Sequence, residues 1–153
     1  MNYTNTRDAY LQDAVFSASP ARLLTMLFDR LVLDLERAEK AITGGVPLEA
    51  TPHLLHAQDI VTELTNTLNV EVWEGGKQLQ ALYLHLYSAL VAANMNKSVD
   101  EIRDCRDIVE PLRQTWHEAA NAVATHNAPA RSAAPVRQPV STGAGSFGEL
   151  GVG

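Results

Sequence analysis

Apolar residues recur at steps of three and four in four separate runs of the chain, and each run predicts one helix. In the first, Leu23, Leu27, Leu31, Leu35, Ala38 and Ile42 share a face that Leu24 and Phe28 widen. Asp34, Glu36, Arg37, Glu39 and Lys40 fall on the other side. Ser19-Pro20 opens this helix: serine is a favoured N-cap, and proline suits the first helical position, where its missing N–H costs nothing. Gly44-Gly45 closes it near Thr43, because glycine takes the left-handed C-terminal position without steric cost. Ahead of Ser19 lie Tyr10, Leu11, Val15 and Phe16, an apolar leader without a clean period that needs a surface to lie on.

Thr51-Pro52 repeats the cap-plus-proline signal and predicts a second helix to about Asn69. Leu54, Ala57, Val61, Leu64 and Leu68 form its seam, with Leu55 and Ile60 expected off it as surface aliphatics. Gly75-Gly76 reads as a breaker in the following connection, and Trp73 there is expected to close the end of the core. The third helix is predicted over about Glu74–Asn94, with Leu79, Leu82, Leu86, Leu90 and Ala93 flanked by Tyr83, Tyr87 and Val91. Apolar on more than one side, it predicts two packing partners. Ser98-Val-Asp-Glu101 is a capping box that opens a fourth helix. Ile102, Cys105, Val109, Leu112, Trp116, Ala119 and Val123 form its stripe. Pro111 interrupts it and predicts a kink or break over Asp107–Pro111.

Four such helices with short connections predict an all-α, antiparallel up-down four-helix bundle, with a short N-terminal cap segment and a disordered C-terminal tail. The expected boundaries are 1–18 for the cap, 19–126 for the bundle and 127–153 for the tail. From about Asn127 the chain turns to Ala, Pro, Gly and Ser, which bury too little surface to offset their ordering entropy.

Composition narrows the function classes. The net charge is −6, and Lys and Arg are not clustered, which argues against nucleic acid as a partner. One cysteine rules out an internal disulfide framework and fits a reducing compartment. The N-terminus lacks a basic segment followed by an apolar core, so no signal peptide is expected, and no run is long enough to span a bilayer. The expected setting is the cytoplasm, without membrane insertion.

No catalytic constellation is evident. Cys105 lies on a core stripe, where a free cysteine behaves as a small hydrophobe. His53 and His56 share a face but lack a third ligand at a convincing spacing, so surface histidines are expected and no metal. The Glu-x-x-His pairs of a di-iron bundle and a phosphate-binding glycine loop are both missing. His85 stands among leucines and is expected to pack; the competing reading makes it the phospho-acceptor of a histidine phosphotransfer bundle. A third reading is a structural bundle whose exposed stripes form a homodimer seam. The expectation is a binding protein without catalysis or cofactor.

Tyr10, Val15, Ala18-Ser19-Pro20, Leu23 and Met26-Leu27-Phe28 resemble, spacing included, the N-terminal signature of the FliS flagellin-chaperone family. That signature reads Tyr, four residues, Val, then x-Thr-Ala-Ser-Pro-x-x-Leu-x-x-Met-Leu-Tyr, with Ser17 here for the Thr and Phe28 for the final Tyr. Ala57-Gln58-Asp59-Ile60-Val61-Thr62-Glu63-Leu64 and Leu68-Asn69 continue the likeness, as do Leu82-Tyr83, Leu90, Ala93-Asn94 and Leu112-Arg113-Gln114-Thr115-Trp116. The chain departs from the pattern at His85, where a second Tyr is usual, and at Ser88-Ala89, where an Arg pair is common. The Gly-Gly pair is displaced, and Pro111 is an addition.

The resemblance implies a cytosolic export chaperone that binds the disordered C-terminal segment of flagellin, prevents its early polymerisation and assists its delivery to the flagellar type III secretion apparatus. It implies flagellin, and beyond it export-apparatus components, as partners of a monomer or weak homodimer. Tyr10, Val15, Ala18, Ser19, Pro20 and Leu23 are then the movable cap and groove wall. Gln58, Ile60, Val61, Leu64, Leu68 and Asn69 contribute from the second helix, and Tyr83, Tyr87 and Asn94 from the third.

Overall fold

A computed structural model of the chain describes residues 20–72 and 74–126. Among them are four α-helices: α1 Pro20–Thr43, α2 Ala50–Thr67, α3 Gly76–Asn96 and α4 Val99–His126. A 3₁₀ turn, Pro47–Glu49, precedes α2. The helices form the antiparallel up-down bundle that the four stripes predict. The chain divides into two units, 1–121 and 122–153; of the second, only the last turn of α4 is described. Ser19 and Trp73, and the cap and core-closing roles expected of them, lie outside the described residues.

Local chemistry sets the ends. Gly45 has φ +86°, and the amides of Gly45 and Val46 donate to the carbonyls of Ile42 and Ala41 at 3.1 and 3.0 Å. This is a complete Schellman stop for α1, at the predicted residue. The start of α2 differs from expectation. Pro47 opens the 3₁₀ turn, α2 begins at Ala50, and Pro52 is its third residue. The first amides of a helix have no partner to lose, so proline is tolerated there as well as at the first position.

Gly76 is the first residue of α3 rather than a breaker. It is buried, and a Cβ on it would stand 2.9 Å from the Cα of Val70. The neighbour is backbone and cannot give way, so only glycine lets the α2–α3 connection close this tightly.

At the far end Lys97 takes the left-handed conformation (φ 47°, ψ 44°), and its Nζ donates to both the carbonyl and Oδ1 of Asn94 at 2.6 Å. The Ser98 hydroxyl accepts the Glu101 amide at 3.2 Å, the forward half of the predicted capping box. The return half is absent because the Ser98 amide already donates to the Ala93 carbonyl at 3.3 Å. The Glu101 carboxylate instead accepts from Asn96 Nδ2 at 3.0 and 3.1 Å.

α4 runs unbroken through Pro111. Proline leaves the Asp107 carbonyl without its helical donor, but both residues are exposed, so water can satisfy it. The stripe of α4 slips by one position near its end: Ala120 is buried and Val123 is 46% exposed. A straight helix drifts by about 20° per heptad against a strict seven-residue repeat, which accounts for the slip.

The core joins Phe28, Leu31 and Leu35 to Leu54, Val61 and Leu64, with Tyr83, Leu86 and Leu90 opposite and Ile102, Cys105 and Val109 closing it. Leu55 is exposed as expected, but Ile60 is buried. α2 packs against both α1 and α3, so its buried arc exceeds a two-position seam. Asp34 is a second correction: expected on the polar side of α1, it is fully buried. It faces α2, where His56 Nδ1 meets its Oδ2, while Arg30 Nε comes within 3.2 Å of Oδ1. α4 is tied to α1 at two levels: Arg103 and Arg106 reach Glu39 at 2.8 and 3.0 Å, and Arg113 and His117 reach Asp29 at 2.7 and 2.6 Å.

Candidate functional site: an apolar groove at one end of the bundle

The first two turns of α1 carry Leu23, Leu24 and Leu27 past the level at which other helices cover them fully. With Pro20 and Met26, and with Glu63 and Thr67 of α2, they line an open cavity of about 550 Å³. A second cavity of about 270 Å³ adjoins it, sharing Leu24 and Thr67. Its remaining walls are Leu64, Leu68, Asn69, Val72, Leu79, Tyr83 and Trp116. All four helices and the α2–α3 connection therefore contribute to one apolar groove, in which Glu63 is the one charged wall residue.

Of the residues expected from the sequence, Pro20, Leu23, Leu64, Leu68, Asn69 and Tyr83 line this groove. Val61 is fully buried, and Gln58 and Ile60 are buried beside it; none of the three reaches the cavities. Tyr87 is 40% exposed on α3, away from the groove, and Asn94 is held by Lys97 near the opposite end of α3. Tyr10, Val15, Ala18 and Ser19 lie outside the described residues. Leu24, Met26, Leu27, Glu63, Thr67, Val72, Leu79 and Trp116 are wall residues that no site expectation included. Leu24 and Leu27 could have been found, since Leu27 lies on the apolar stripe of α1 one turn after Leu23, and Leu24 widens that stripe.

The walls of the groove are mostly apolar side chains. Burial pushes the Tyr83 hydroxyl up to about 12, so it stays neutral. Cys105 is fully buried, as expected; burial first, then Asp104 and Glu101, push its thiol up to about 11, far from thiolate chemistry. His85 is exposed, which corrects the packing role expected of it. It sits on the outer side of α3, turned away from the buried Leu86 and Leu90. No group of three His, Cys, Asp or Glu among the described residues is placed to hold a metal ion. None of the described helices is long and apolar enough to cross a membrane.

One charge cluster stands beside the groove. Partial burial pushes the Asp29 carboxyl up, but hydrogen bonds and charges from His117 and Arg113 outweigh it and hold Asp29 below the ordinary carboxylate value. A carboxyl lowered on folding stabilises the fold above its unfolded pKa, and that contribution is lost as pH falls through the folded value. The gap in Tm between the parent and Asp29→Asn is therefore expected to be widest near neutrality and to close below about pH 4. Thermal unfolding of both proteins across that range checks it. A gap that widens on acidification would reverse the assignment.

Residues 3–123 match the model of a family described as flagellar protein FliS. The chain belongs to the FliS family. It is 29% identical over 119 residues to the flagellar secretion chaperone FliS of Bacillus subtilis (strain 168), a match spanning 78% of this chain and 89% of that protein. The protein of the same name from Campylobacter jejuni is 28% identical over 117 residues, covering 74% of this chain and 90% of the relative. That of Escherichia coli (strain K12) is 28% identical over 114 residues, with 71% and 82% covered. Every groove residue lies inside the segment that matches the FliS model, and residues 127–153 lie beyond it.

Proposed function

We propose that this chain is a cytoplasmic export chaperone that binds the disordered C-terminal segment of flagellin. Held in this way, flagellin does not polymerise early and can be passed to the flagellar type III secretion apparatus. The observation that carries the reading is the groove: two adjoining apolar cavities, open to solvent, within the segment that matches the FliS family model. An amphipathic segment that folds on binding would lay its apolar side chains into such a groove. Folding of this kind commonly buries about 1,000–3,000 Å² and spends roughly 2–5 kcal/mol on ordering, so affinity comes from area without nucleotide or catalysis.

Within this reading Pro20, Leu23, Leu64, Leu68, Asn69 and Tyr83 contact cargo, with Tyr87 and Asn94 along the edge of the buried stripe of α3. Residues 1–18 act as a cap that shields the groove until cargo displaces it, and Tyr10, Val15, Ala18 and Ser19 belong with Pro20 and Leu23 to this movable cap and groove wall. Pro20 itself lines the groove, so the segment just before it is tethered there at high local concentration. Residues 19–126 are the binding domain, and 127–153 a tail that the groove does not require. Calorimetry of the full chain against a synthetic flagellin C-terminal segment tests the proposal. Saturable binding with negative heat-capacity change is expected. No saturation at high micromolar peptide would overturn it.

A further inference from the structure

The seam between α1 and α2 continues beyond the groove, and its register is fixed at three levels. Leu23 and Leu27 stand with Thr67 and Glu63, Asp34 meets His56, and Arg37 shares a third cavity with His53. That cavity, about 330 Å³, is lined by Arg37, Lys40, Ala41, Gly44, Val46, Glu49 and His53. Arg103, Arg106 and Arg113 are each tied to a carboxylate. Arg37 and Lys40, by contrast, make no ion pair or side-chain hydrogen bond among the described residues. One level back toward the groove, Arg30 is half-exposed and approaches Asp34 through Nε, leaving the rest of its guanidinium to the outside. In a chain of net charge −6, one half of one seam thus presents open cations, with Glu49 as the acid in the cavity wall.

We propose that the α1–α2 seam is a two-part track for a polypeptide that is apolar at one end and acidic at the other. The apolar end fills the groove at Leu23 and Leu27, and the carboxylates meet Arg37 and Lys40. This rests on the groove being the cargo site and adds the chemistry of what lies next to the anchors. At 1.5 Å per residue, Leu23 to Lys40 spans about 25 Å, and Met26 to Arg37 about 17 Å. A helical partner therefore carries its acidic residues about 11–17 positions from its apolar anchors. Charge complementarity selects this occupant: a neutral or basic segment would cover Arg37 and Lys40 without pairing them. Exposed pairs add little affinity each, so the acidic end mainly sets direction and register along the seam.

The test uses the full chain and two synthetic helical peptides of about 20 residues. Both carry the same leucine stripe at one end, and they differ only in having glutamates or lysines at the other. The glutamate peptide is expected to bind about tenfold tighter at about 50 mM salt, the preference fading at about 500 mM. Amide NMR shifts should reach Arg37, Lys40 and His53 with the glutamate peptide alone. Arg37→Glu/Lys40→Glu should reverse the preference. Arg37→Gln/Lys40→Gln should abolish it, which keeps the test open if the charge reversal disturbs α1. Equal binding of the two peptides, or a preference that survives both double variants, overturns the track and leaves the groove reading standing. If neither peptide binds and the flagellin segment is silent too, groove and track fall together.

Discussion

Leu23→Asp is expected to weaken binding of a flagellin C-terminal segment by about 30-fold or more, with little change in the urea midpoint of unfolding. Leu23 lines the larger cavity and is half-buried, yet unlike Leu24 and Leu27 it is not packed against the buried core. Its replacement should therefore cost the fold little. An aspartate there loses the apolar contact and must also be stripped of water when cargo docks. Anchors in such desolvated pockets contribute about 2 kcal/mol or more, and 1.4 kcal/mol is a tenfold change in affinity. Leu48→Asp is the matched control, since Leu48 is 78% exposed beyond the opposite end of α1. Calorimetry on both variants decides the matter. Binding by Leu23→Asp within about threefold of the parent would remove the groove from the cargo site.

The second large effect concerns stability. Replacing both Arg30 and His56 by alanine is expected to cost about 3–5 kcal/mol, because it leaves the buried Asp34 carboxylate without a counter-charge. The Asp34 side chain is wholly inaccessible, whereas those of Arg30 and His56 are 46% and 47% exposed. Most of the desolvation therefore falls on the acid. Each single variant should cost less, since the other partner remains. Adding Asp34→Leu to the double variant should recover most of the loss, because an apolar side chain replaces a buried charge at near-neutral cost. Urea unfolding of the four proteins checks the series. A double variant within about 1 kcal/mol of the parent would mean that Asp34 turns out to water.

These two cases also mark where the sequence was readable. The end of α1 and the start of α4 were legible because Gly44-Gly45 and Ser98 carry local signals that act within one turn. The start of α2 was not, since proline follows a plausible opening twice, at Pro47 and Pro52, and a 3₁₀ turn uses the first. Asp34 and Ile60 were misplaced for a common reason. A periodic pattern shows one seam, while α1 and α2 face each other along an arc wider than that seam. Six of the groove residues were reached through the motif resemblance. Val72 lies outside every motif of that resemblance, and Trp116, though inside one, was not among the implied site residues, because only folding brings the connection and the far part of α4 against α1.

Cys105, the chain's one thiol, is sealed in the core by α4. A water-soluble thiol reagent can reach it only while that helix stands away from the other three. The natural chain thus carries a built-in clock of its own opening: the rate at which the sulfur is alkylated counts how often the bundle breathes, with no label or substitution introduced.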